Sequence, residues 1–272
     1  MSFRCYNDDD VLQLCRFSYE TRGSSCMKEL AKRCPKSPIS IGSEDSNASN
    51  FSQVLHYIGR IGSHMKAAKI LVAAALRFPT FFDYPQIKYL PSPEPAKKPP
   101  PMDELTTLDG IVIRMLPKDD PKIPSYQEAL QFMDTKFGIY RRVVEKYKDD
   151  NFLPRVHAEL ILLEHFHANT YRFVGGDKYI GCSKPACYCC FYYISAHPGN
   201  FVQPASHNKT YLNWRPPDVA DNDPKGSVRQ RDVLNTMIKR IRGEVLEQIM
   251  DRRGPRAAHH DSTTGITLSG WR

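Results

Sequence analysis

His157-Ala158-Glu159-Leu160-Ile161-Leu162-Leu163 opens the stretch that decides the fold, and Cys187-Tyr188-Cys189-Cys190 closes it, with 27 residues between Glu159 and Cys187. Among nine histidines only His157 stands in the form His-x-Glu, and Cys187 and Cys190 are the only C-x-x-C pair. Side chains three apart on a helix share a face, so the two sulfurs can converge on one ion, with His157 as a third corner. Three protein ligands leave a fourth position open, which separates a catalytic metal from a structural one. Glu159 then stands beside that position without being a ligand. The plainer use of the same residues is core: a free cysteine behaves as a small buried hydrophobe, and His157 could simply begin a helix.

Outward from this stretch, residues 157–168 are apolar on nearly every side and are expected to form a buried helix. His165 and His167 near its end are capping or surface groups. Residues 179–181 read as a short buried strand, Pro185 as a helix-start proline, residues 187–196 as the second site helix and residues 210–214 as a further strand. This strand-helix-strand unit, crossing over right-handed, puts both site helices on one face of a mixed sheet in a three-layer α/β/α domain. Residues 125–148 read as one helix with Ser125 near its cap and Glu128 three later, while residues 110–116 suit a strand or a helix equally. Residues 228–252 carry the clearest i, i+4 apolar stripe, through Val233, Met237, Ile241, Val245 and Ile249, ended by Gly254-Pro255. From Phe51 a helical pattern begins, with Gly59 and Gly62 as an expected break, and residues 91–101 hold six prolines in a stiff spacer.

The 272 residues suffice for a sizeable core, and a net charge of +8 with a pI near 9.0 favours an anionic partner such as nucleic acid or a nucleotide. Residues 225–256 hold nine Lys and Arg against four acids, either a nucleic-acid face or a solvated amphipathic one. Asp8-Asp9-Asp10 stands where a signal peptide needs an apolar core, and the longest apolar stretch is too short to span a bilayer. The expected setting is therefore cytoplasmic or nuclear, with no membrane partner. Of the eight cysteines, four lie within nine residues of one another, which suits a metal site better than a disulfide framework. Cys5, Cys15, Cys26 and Cys34 have no compact zinc spacing and read as ordinary thiols.

His157-Ala158-Glu159, the segment from Cys182 to Cys190 and Trp214-Arg215-Pro216-Pro217 together resemble the OTT-like deaminases, a largely fungal branch of the cytidine-deaminase-like superfamily. The resemblance covers about residues 151–217. It implies a Zn²⁺ cofactor held by His157, Cys187 and Cys190, and Glu159 as the catalytic proton carrier in hydrolytic deamination of a cytosine or adenine base, in a nucleotide or a single-stranded nucleic acid. The superfamily has proline directly before its first cysteine, whereas here Ala186 intervenes after Pro185, which leaves Cys182 and Cys189 as alternative ligands. Cys189 points away from Cys187 on the helix, so Cys182 is the stronger competitor. Tyr188 and Trp214 are candidate walls of a substrate pocket, with helix packing as their other use. A fourth protein ligand would close the site and favour a non-catalytic, zinc-stabilised RNA- or protein-binding module. The chain then divides into a Cys-containing segment and linker (1–50), a helical extension ending in the Pro-rich spacer (51–101), a zinc deaminase-like domain (102–253) and a disordered tail (254–272).

Overall fold

The computed structural model describes residues 7–33, 46–94, 101–182, 184–220 and 222–254. Among the described residues two compact units emerge: one holds residues 7–33, 46–89 and 184–185, the other residues 90–94, 101–182, 186–220 and 222–254. The expected tail, most of the expected linker, Cys5, Cys34 and the middle of the Pro-rich spacer lie outside the described residues.

In the first unit α1 (Asp8–Thr21) and α2 (Ser25–Lys32) pack on the long α3 (Ser46–Arg77). The acids at the chain start have a local task. Asp10 and Asn7 form a reciprocal capping box, at 2.8 and 3.3 Å, and the three aspartates sit at the positive end of α1. α3 runs through Gly59 and Gly62 without the expected break. A Cβ added at Gly62 would stand 3.0 Å from the backbone of Ser18, so the missing side chain lets α1 and α3 approach closely here.

The second unit contains α4 (Leu108–Met115), α5 (Ile123–Phe137), α6 (Ile139–Lys148), α7 (Ala158–Ala168), α8 (Tyr188–Ala196) and α9 (Pro224–Met250). Residues 110–116 take the helical alternative, because Thr107 caps α4 by accepting from Gly110 N at 3.0 Å. The single helix expected over residues 125–148 is two. Gly138 adopts φ 59° and ψ 43°, ends α5 with a bond from its N–H to Asp134 O, and starts α6. Ser125 lies inside α5 rather than at its cap.

Two cores result. Val156, Leu160, Leu163, Cys187, Cys190, Tyr193, Ile194, Val233 and Met237 join α7, α8 and the first half of α9. Val112, Ala129, Leu130, Met133 and Ile249 join α4, α5 and the end of α9. Each large apolar side chain so buried contributes about 1.5–3 kcal/mol.

The expected sheet is not formed among the described residues. In its place stand two isolated parallel bridges, Arg155↔Trp214 and Ala186↔Ser206. Tyr179, expected in a buried strand, is 57% exposed, and the chain at 178 gains one bond, from Val202 N to Lys178 O. Residues 210–214 are broken by a turn, with Trp214 N bonded to Tyr211 O and Leu212 61% exposed. A run of five residues with a turn inside it cannot present a continuous ladder edge, so helices pack directly on helices here. No helix among the described residues is long and apolar enough to cross a membrane.

Candidate metal centre

His157 is the N-cap of α7, in extended conformation, and its ring is not spent on capping its own helix. Cys187 is the N-cap of α8, and its sulfur accepts from Cys190 N at 3.5 Å. Both site residues therefore stand at helix starts, where backbone N–H groups and the helix dipole favour negative charge. The segment after α8 holds this start in place: Ala186 N donates to Ala205 O, His207 N to Ala186 O, and Tyr188 N to Lys209 O.

His157 Nδ1 lies 3.4 Å from Cys187 Sγ and 3.3 Å from Cys190 Sγ. The three donor atoms lie within 4.8 Å of one another, and both cysteines are buried. One imidazole and two sulfurs so close together fit a soft divalent cation such as Zn²⁺. Cys182 and Cys189 fall outside this group. Cys182 is exposed, and burial pushes the Cys189 thiol up to about 12.

The electrostatics point the same way. Hydrogen bonds from Cys190, from His157 and from the Cys190 N–H hold the Cys187 thiol below its ordinary value, against the cost of burial. The bond to Cys187 pushes Cys190 upward, and burial and the Glu159 carboxylate, which also shares a hydrogen bond with it, add to this. Contact with Cys187 likewise holds the His157 imidazole above its ordinary value. Glu159 is thus close enough to act electrostatically on Cys190 and His157 while remaining outside the group of three.

Residues 156–218 match the OTT-like deaminase family. This deaminase-like segment contains all three candidate ligands and Glu159, and it is under a quarter of the chain. No curated protein and no solved structure gives a significant match.

Trp214, from the third motif of the deaminase-like segment, donates its indole N–H to Cys190 Sγ at 3.2 Å, and its ring lies 6.2 Å from that of Tyr193. Tyr188 turns to α9: its hydroxyl donates to Glu244 Oε2 at 2.9 Å, and Tyr192 donates to the other oxygen of the same carboxylate. Of the cations on and just after α9, Arg229, Arg240, Arg252 and Arg253 are paired with Glu164, Glu244, Glu128 and Glu247. Arg229 and Arg252 so link this helix to α7 and α5, while Arg240 and Arg253 pair within it and its end, which reduces the basic face expected there.

Two residues at the site were not anticipated. Tyr211 sets its ring edge-on to His157 at 5.7 Å, and no spacing rule marks it. Glu164 lies on α7, accepts from Tyr193 Oη at 2.7 Å and from Arg229 Nη2 at 3.2 Å, and has His197 Nε2 at 3.3 Å. Gly199 N donates to His197 Nδ1 at 3.0 Å, which orients this ring beside Glu164. Burial works against the charge of Glu164, but His197, Tyr193 and Arg229 hold its carboxyl at about 2. A signal was present: Glu164 is an acid between Leu163 and Phe166 in a helix apolar on nearly every side.

Proposed function

We propose that the chain is a Zn²⁺-dependent hydrolytic deaminase of a cytosine or adenine base, carried in a nucleotide or a nucleic acid. The observation that carries this reading is the convergence of His157 Nδ1 with the sulfurs of Cys187 and Cys190, at a site where the Glu159 charge acts on His157 and Cys190. His157, Cys187 and Cys190 would hold the cation. When bound there, Zn²⁺ would supply the Lewis acidity that makes a water nucleophilic near neutral pH.

The chain's own groups do the rest. Glu159 takes a proton from the attacking water and delivers it to the ring nitrogen of the base, then helps the amine leave as ammonia while the carbon keeps the oxygen. Cys187 enters as a thiolate, which its helix-start position and hydrogen bonds favour. The Trp214 N–H fixes the Cys190 sulfur from the outer side. Trp214 and Tyr188 are proposed as pocket walls, with Tyr188 anchored through Glu244. The domain proposed to do this is 102–253, working in the cytoplasm or nucleus.

Zinc content and ammonia release, measured for the parent and for Glu159→Gln on cytosine- and adenine-bearing nucleosides, nucleotides and oligonucleotides, test the reading. The variant should keep its zinc and lose activity by about 10²–10⁴-fold. Equal ammonia release from both would remove Glu159 from the chemistry. Stoichiometric zinc with no ammonia from any substrate would make the chain a zinc-stabilised binding module.

A further inference from the structure

α6 has the sequence Ile139-Tyr140-Arg141-Arg142-Val143-Val144-Glu145-Lys146-Tyr147-Lys148, sharply divided into an apolar and a basic face, yet none of its residues is fully buried. Its apolar face lines a cavity of about 610 Å³, with Ile139 and Val143 on the helix side and Phe152 and Leu212 on the other. That volume lies within the roughly 300–1,000 Å³ of small-ligand sites. The cavity is built mostly on α6, and its other two lining residues lie on chain segments that run close to His157. Phe152 is five residues before His157, and Leu212 follows Tyr211, whose ring meets that of His157. Bonds from Arg155 N to Asn213 O at 2.7 Å and from Arg215 N to Arg155 O at 3.0 Å tie the segments together.

The groove's chemistry selects its occupant. Phe152 and Tyr147 bring aromatic rings to the lining, and Arg142 and Lys146 bring cations. Glu145, the one acid in the lining, has Arg141 at 3.9 Å, and Arg142 has no ion-pair partner among the described residues. Lys146 reaches Asp149 at 3.4 Å but remains half exposed, able to exchange that contact for another anion. Across α6 four cations stand against Glu145. Rings for stacking beside cations for a backbone are what a single-stranded nucleic acid requires and a free base does not.

We propose that this groove binds the nucleotides flanking the reacting base, so that the substrate is a single-stranded nucleic acid rather than a free nucleotide; this rests on the deaminase reading of the site. The test uses the full chain and fluorescein-labelled single-stranded RNA and DNA of about 12 nucleotides, within the usual footprint of single-strand sites. Affinity is measured by anisotropy across a salt series, with ammonia release followed in parallel. Arg142→Glu/Lys146→Glu should bind about tenfold more weakly and lower the slope of log affinity against log salt by about 1.4, two phosphate contacts at about 0.7 each. Phe152→Ala should weaken binding about tenfold with the slope unchanged. Arg142→Lys/Lys146→Arg should restore parent affinity, and helical circular dichroism checks that each variant folds. Unchanged affinity and slope in the charge-reversed variant would overturn the groove whatever the ammonia assay gives. No ammonia from the parent, with strand binding still lost on charge reversal, would overturn the deaminase reading and leave the groove standing.

Discussion

α9 serves two cores of different chemistry. Near its end, Val245 and Ile249 meet Val112, Leu130 and Met133 of α4 and α5, an apolar contact that needs shape and nothing else. In its first half, Val233 and Met237 lie under a core that also contains Cys187, Cys190 and Tyr193, with Glu164 and His197 beside it. Buried thiols, a carboxylate and imidazoles are costly to remove from water unless they are paired. A chain that needed only stability could fill both regions alike. That polar groups gather in one region, and pair there, separates the working part of the unit from its support.

The comparison breaks most completely at the ligands. At a zinc concentration a thousandfold above Kd, the metal should stabilise the parent by about 4 kcal/mol relative to chelator-treated protein. Cys187→Ala should abolish this difference and the bound zinc together, as read by thermal unfolding and elemental analysis; a variant that keeps both would remove Cys187 from the centre. Next come the two cores. Leu163→Ala and Met133→Ala should each cost about 3 kcal/mol in urea unfolding, since both side chains are buried. Only Leu163→Ala should also weaken zinc binding, so equal zinc affinity in both would erase the distinction.

Acid sharpens the contrast further. The carboxyl of Glu164 is lowered from 4.5 to about 2 on folding, so its contribution is complete above pH 4.5 and is lost as pH falls toward 2. The shift corresponds to about 3 kcal/mol, or roughly 2 kcal/mol after allowing for the solvent that still reaches the group. Stability curves of parent and Glu164→Gln should therefore converge between pH 4.5 and 2, and parallel curves would contradict the assignment. The smallest effect is expected at Trp214. Trp214→Phe keeps a ring but removes the N–H on Cys190, and zinc affinity should fall about tenfold, with little change in urea midpoint.

The sequence made the site more legible than the scaffold, for physical reasons. Metal chemistry demands particular residue types at tight spacing, so His157, Cys187 and Cys190 stand out, and the i, i+4 stripe of α9 does so because a long helix repeats its signal. Short apolar runs carry no such repetition. Residues 179–181 and 210–214 have strand-like composition, yet whether they pair depends on partners and turns that local pattern does not contain. The division at Gly138 was hidden because α5 and α6 share one apolar periodicity across the hinge. Glu164 was legible in principle, as an acid within an apolar helix, but its partners come from α8 and α9 and are remote in sequence. Trp214 was expected as pocket wall or core, and its contacts with Cys190 and Tyr193 explain why a single motif residue can look like either.

X-ray absorption at the zinc edge of the purified full chain tests the central claim most directly. Two sulfur scatterers, one imidazole and one further light atom are expected in the parent, while Cys190→Ala, like Cys187→Ala, should retain no stoichiometric zinc and any zinc left in His157→Ala should lack the imidazole. Three or four sulfurs, or a spectrum indifferent to His157, would contradict the open three-ligand centre.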